Sequence, residues 1–200
     1  MRALLFAIVF AAIPAAACAQ SRAERAGSPT QIETVTLHRL FNQYYACGEH
    51  VEGELAYVGD ALGSDCLIQG GLDPNVEGGF VRAFRNDGAR NEDWYGWNAE
   101  VLAPFDATVV RVNINPVVNQ PGVLGQPPAS FVVFERADGM RVLFAHVQDV
   151  RVAQGDTVTA GQIIALVGNN GYGRSPHIHV GAWKGETPYQ IRWDLSRPAQ

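Results

Sequence analysis

From about residue 80 onward the chain consists of short β-prone runs cut by turn residues, and this pattern most constrains how it can fold. Residues 107–112, 130–135, 140–146, 163–167 and 177–180 are rich in Val, Ile and Phe, which suit a pleated, half-buried surface. Asp138-Gly139 lies between two of these runs and has the chemistry of a tight hairpin turn. Residues 113–129 carry Pro116, Pro121, Pro127 and Pro128, so this stretch is excluded from a central strand and is expected to be a long loop. The expectation is a mainly β protein with an antiparallel sheet core. Its 200 residues, 47% of them hydrophobic, suffice for one sizeable core rather than two.

The first part of the chain has a different character. Residues 1–19 hold one positive charge, a short apolar run and a small-residue end, the pattern of a secretory signal peptide. Ala17-Cys18-Ala19 fits an A-x-A cleavage site, whereas Ala16-Ala17-Cys18 fits a lipobox that would leave Cys18 as a lipid anchor. Residues 20–79 are expected to form an N-terminal extension and residues 80–200 the β domain with a C-terminal tail. Within the extension, Ile32, Val35, Leu37, Leu40, Phe41 and Tyr44 recur at spacings of three and four, which predicts a helix over 31–45. Residues 47–79, rich in glycine and acids, are expected to be irregular. Export leaves Cys47 and Cys66 as an even pair, which suggests a disulfide, with two buried free thiols as the alternative. Such a bridge is worth about 3 kcal/mol in the loop-entropy account.

The formal net charge of -5, with no run of Lys or Arg, argues against nucleic acid and against a polybasic membrane contact. Membrane attachment would then require a lipid at Cys18.

The chemistry concentrates in Ser175-Pro176-His177-Ile178-His179-Val180, which follows Gly168-Asn169-Asn170-Gly171, and in Phe144-Ala145-His146-Val147. Side chains alternate along a strand, so His177 and His179 share one face, roughly 6 to 7 Å apart. One imidazole can then hold a metal while the other reaches water or substrate. The alternative is a pair of histidines on a polar strand face. Gly168-Asn169-Asn170-Gly171 lacks the lysine of a phosphate loop and is read as a turn presenting the histidine strand. Trp94, Tyr95 and Trp97 suit either a sugar-stacking groove or local packing.

These two blocks stand in one order with Val101-Leu102-Ala103-Pro104-Phe105-Asp106-Ala107-Thr108-Val109 and with residues 152–162. Together they resemble the lysostaphin/LytM-type zinc metallopeptidases, whose β-sheet core is also called the duplicated hybrid motif. The resemblance covers about residues 80–185. It implies a zinc endopeptidase that cuts peptidoglycan peptides in the bacterial periplasm or cell envelope. It also implies zinc held by the His and Asp of an H-x-x-x-D motif and by the second His of the His-x-His. Carried over by position, His179 and Asp93 would be metal ligands. His146 and His177 would activate water and stabilise the oxyanion. Four residues before Asp93, however, stands Ala89, which has no donor atom. Either His50, Asn91 or Glu92 replaces the absent ligand, or zinc is held weakly. The competing function is a non-catalytic relative that binds or regulates a wall enzyme such as an amidase. A biotinyl-carrier reading of residues 155–162 fails because the one lysine, Lys184, is not in the required turn.

Overall fold

The structure, a computed structural model, describes residues 31–72 and 79–196. The expected signal peptide and the Cys18 lipobox lie outside these residues. Among the described residues there are thirteen strands and one 3-10 turn, Asn91–Asp93. The strands are β1 (Thr34–Leu37), β2 (Tyr45–Glu49), β3 (Ser64–Ile68), β4 (Glu100–Leu102), β5 (Ala107–Asn113), β6 (Phe131–Glu135) and β7 (Arg141–Ala145). They continue with β8 (Val147–Gln148), β9 (Thr157–Val158), β10 (Ile163–Val167), β11 (Ile178–Lys184), β12 (Thr187–Pro188) and β13 (Gln190–Trp193).

The main sheet runs β2-β3-β11-β7-β6-β5-β9, with β12 also on β11, and its pairings are antiparallel. A second antiparallel sheet runs β4-β10-β8, and β1 pairs with β13 in parallel. Period-two alternation explains the core. Val132 and Phe134 of β6, Val142 and Phe144 of β7, and Ile178, Val180 and Ala182 of β11 are buried in one cluster with Val101, Ile164 and Val167 of the second sheet. Each large side chain fully buried there contributes about 1.5–3 kcal/mol. The expected strands and the proline-rich loop are found where the sequence placed them, and Gly139 turns the β6–β7 hairpin at φ 85°.

Two expectations are corrected. The helix predicted over 31–45 is not formed: Val35 and Leu37 are buried while Thr34 and Thr36 are exposed, an alternation that suits β1. The β-branched Thr-Val-Thr run favours strand, and pairing with β13 supplies its hydrogen bonds. Leu40 and Phe41 then enter the core from the connection to β2. The second correction concerns residues 47–79. They are not merely irregular, since β3 lies between β2 and β11 in the main sheet. Extension and β domain therefore share one sheet, within the single unit Glu33–Gln200.

Cys47 and Cys66 form a disulfide, and they are direct cross-strand partners on β2 and β3. The loop between these strands folds back over the outer face of β11. At Gly181 a Cβ would collide with the Gly59 carbonyl oxygen, while Trp183 lies against Gly59. That cover explains why β11 is buried on both faces over residues 178–182.

Candidate metal centre

Strand β11 is the axis of the site. His179 is paired with Asp65 of β3 on one side and with Ala145 of β7 on the other. Since paired residues of neighbouring strands project to the same face, Asp65 and His179 meet outside the core. The His179 imidazole donates from Nδ1 to Asp65 Oδ1 at 2.9 Å and from Nε2 to Asp60 Oδ1 at 3.0 Å. Gly63 makes room for this ring, because a Cβ there would lie 2.9 Å from His179 Cε1.

His50 follows the end of β2. Its backbone N–H donates to the Gly63 carbonyl at 2.8 Å, and its Nε2 lies 3.5 Å from Asp65 Oδ2. The rings of His50 and His179 are 5.3 Å apart. Donor atoms of His50, Asp65 and His179 all lie within 4.8 Å of one another, so the three can hold one metal ion. His50 Nδ1 is buried and has no hydrogen-bond partner. A buried polar atom left unpaired is costly.

His146 and His177 line the same cavity of about 480 Å3, together with Asp60, Asp65 and Tyr172. His146 sits at the β7–β8 junction with φ 64°, a backbone conformation uncommon outside glycine and enriched at functional sites. Its Nδ1 donates to the Asn170 carbonyl at 2.7 Å, and His177 Nδ1 donates to the Ser175 carbonyl at 2.7 Å. A carbonyl only accepts, so both neutral rings carry their proton on Nδ1 and leave Nε2 open. The two rings are 4.4 Å apart, and His177 Nε2 lies 3.8 Å from Asp65 Oδ1.

Buried Asn170 holds this arrangement by accepting from Ser130 N at 2.7 Å and donating to the Val147 carbonyl at 2.9 Å. Asn119 Nδ2 donates to the carbonyls of Gly171 and Gly173. The Gly168-Asn169-Asn170-Gly171 turn is thus a buried hydrogen-bonded brace beneath the histidines.

Electrostatics divide the imidazoles. Burial, aided by the nearby His177, pushes His146 down to about 3, and burial also lowers His177. Both remain neutral near pH 7. Burial alone would lower His179 too, but its hydrogen bonds to Asp60 and Asp65 outweigh this and raise it to about 9. Burial would raise Asp65, yet the His179 hydrogen bond and the charges of the neighbouring imidazoles hold its carboxyl well below the usual range. Without metal, the floor of the site is therefore an imidazolium between two carboxylates.

Of the residues expected from sequence, His146, His177 and His179 converge, and Asp93 does not. The Asp93 carboxylate accepts from Asn86 Nδ2 at 2.8 Å and from Arg90 N at 3.2 Å, closing the 3-10 turn instead of lining the cavity. Asn91 hydrogen-bonds Asn169 and the Asn119 carbonyl, and Glu92 does not line the cavity either. Trp94 stacks on Phe84, and Arg85 lies over Tyr95. The aspartates that line the cavity are Asp60 and Asp65, and the one in the donor cluster is Asp65. Its sequence signal was an aspartate opening the β-prone run Cys66-Leu67-Ile68. Four residues before Asp65 stands Ala61, so the H-x-x-x-D spacing lacks its histidine in this register as well. His50, just after β2, brings a second histidine to the donor cluster.

Residues 95–191 match the profile of peptidase family M23. This segment, which carries β4 to β12 and His146, His177 and His179, is similar to that family. His50, Asp60 and Asp65 lie upstream of the matched residues. No curated protein matches the chain. Among solved structures, the catalytic domain of the antimicrobial peptidase lysostaphin from Staphylococcus simulans is 18% identical. The match covers 72% of this chain and 81% of that one, with a TM-score of 0.41. A chain of the SpoIIIAH and SpoIIQ complex is 19% identical over 76% of this chain and 94% of that one, with a TM-score of 0.49. The M23 metalloprotease pseudoalterin from the deep sea is 16% identical over 78% and 74%, with a TM-score of 0.46.

Proposed function

We propose that this protein is an exported zinc endopeptidase that acts on peptidoglycan peptides in the bacterial periplasm or cell envelope. The match of residues 95–191 to a peptidase family supports the reaction class. The observation that carries the reading is a single cavity that brings together the donor set His50, Asp65 and His179 with two neutral histidines, His146 and His177. Two imidazoles and a carboxylate with donor atoms within 4.8 Å of one another are a donor set that suits zinc.

When bound, zinc would supply a Lewis acid that polarises a peptide carbonyl and acidifies water. The chain's own residues supply the rest. His146 and His177 present unprotonated Nε2 atoms, because their Nδ1 protons are committed to the Asn170 and Ser175 carbonyls. Either ring can take a proton from attacking water. Once protonated, it can hydrogen-bond a developing oxyanion or return the proton to the leaving amine. The two rings lie 4.4 Å apart in the same cavity, close enough to act on one substrate group.

A second reading, a non-catalytic relative that binds peptidoglycan or regulates a wall amidase, is favoured by Ala61 at the position of the absent ligand histidine. Zinc titration of the chelator-stripped protein, beside His50→Ala and His179→Ala, separates the two. Tight one-to-one binding lost in both variants, together with zinc-dependent release of peptide fragments from peptidoglycan, is expected. Absence of binding at micromolar zinc, or a loaded protein that releases nothing, would favour the second reading.

A further inference from the structure

We propose that Asp60 is a positioning residue for the metal centre: it holds the His179 ring from the side opposite Asp65 and so orients Nδ1 toward the metal. This inference rests on the reading of His50, Asp65 and His179 as metal ligands.

The two nitrogens of His179 have different surroundings. Nδ1 faces Asp65 Oδ1, within the donor cluster, and Nε2 faces Asp60 Oδ1 at 3.0 Å. A histidine that ligates through Nδ1 keeps its proton on Nε2, and a carboxylate on that N–H fixes both the tautomer and the ring plane while raising the ring's basicity. Asp60 is placed to do this and lines the same cavity.

The backbone around Asp60 is built to keep it there. Asp60 N donates to the Tyr57 carbonyl and Gly63 N to the Asp60 carbonyl, both at 2.9 Å. One residue earlier, Gly59 abuts the backbone of β11 at Gly181, an approach that only a glycine on β11 permits. The strap between β2 and β3 therefore begins with a metal donor, His50, and reaches its closest contact with β11 where it delivers the second carboxylate to His179. Because Ala61 supplies no ligand, the strap compensates with one direct donor and one carboxylate that acts through His179.

The test is zinc affinity of the full mature protein, measured by competition with a chromogenic chelator, for wild type, Asp60→Ala, Asp60→Asn and Asp60→Glu. Loss of such a second carboxylate typically weakens metal binding by about 10–100-fold. Asp60→Ala is expected in that range, Asp60→Asn in between and Asp60→Glu partly rescued. The second readout is long-range 15N imidazole NMR of zinc-loaded wild type, which is expected to show His179 protonated at Nε2 and metallated at Nδ1. This tautomer would not follow from a merely structural role. Wild type that binds zinc with affinity unchanged in Asp60→Ala, or with His179 metallated at Nε2, overturns the role of Asp60 and leaves the metal centre standing. Wild type that binds no zinc overturns the metal centre itself.

Discussion

Cys47 and Cys66 face each other as direct cross-strand partners, and this bridge joins the strand that ends just before His50 to the strand that carries Asp65. In the sheet order, β2 is a terminal strand held by β3. Breaking the bridge, by reduction or by Cys47→Ser with Cys66→Ser, is expected to lower stability by about 2–4 kcal/mol. It should also weaken zinc binding through His50. In a His50→Ala background, the same double substitution is expected to change zinc affinity much less. A double-mutant cycle read by zinc competition and thermal unfolding checks this coupling.

Asp93 and His146 separate structure from catalysis. Asp93→Asn is expected to leave zinc affinity and peptide release near wild type, because its carboxylate closes a local turn. His146→Ala is expected to cut the zinc-dependent rate by roughly 10²–10⁴-fold, the usual range for a general acid or base, while zinc still binds. Parallel turnover and metal-binding assays decide between these outcomes.

Gly181→Ala is expected to destabilise the protein by about 1–3 kcal/mol, as overpacking does, because its methyl would meet the Gly59 carbonyl. The displaced strap should also carry Asp60 away from His179. Gly48→Ala is the control, since a Cβ at Gly48 has no neighbour within 4 Å. Denaturant unfolding of the two variants compares them directly.

Asn170→Ala removes the acceptor for Ser130 N and the donor for the Val147 carbonyl, both in buried surroundings. Each orphaned group costs about 1–3 kcal/mol. Unfolding measurements should show the loss, and peptide release should fall further than stability alone explains because His146 leans on the same turn.

The pH dependence of the metal-free protein follows from opposite shifts. His146 is lowered from 6.5 to about 3 in the fold, so its neutral burial supports stability above pH 6.5, and that support is lost as pH falls toward 3. His179 is raised from 6.5 to about 9, so its contribution is full below pH 6.5 and is lost as pH rises through 9. The Asp65 contribution, from a lowered carboxyl, is present above its ordinary value of 3.8 and lost below it. Thermal unfolding of chelated protein is expected to show greatest stability near pH 6 to 7 on these shifts, with decline on both sides. A midpoint that rises steadily from pH 6.5 to 9 would contradict the His179 part.

Much of this architecture was legible in the sequence because it is local. Alternation and turn chemistry in residues 107–180 define strands β5, β6, β7, β10 and the start of β11, and the same alternation puts His177 and His179 on one face. The spacing of residues 31–45 was ambiguous, since Val35, Leu37, Leu40 and Phe41 also suit a strand followed by a buried turn. The metal donors were a different kind of problem. Asp65 meets His179 through the β3–β11 register, and His50 reaches both through β2. No local spacing encodes those meetings, since alanine stands four residues before both Asp93 and Asp65. Local sequence carried the strands β5, β6, β7, β10 and the start of β11, the cysteine pair and the histidine face, because backbone alternation and cysteine parity act over short range. The meeting of His50, Asp65 and His179 came from tertiary structure, because it depends on which strands lie side by side, and that order is set by burying the core on one face of the sheet.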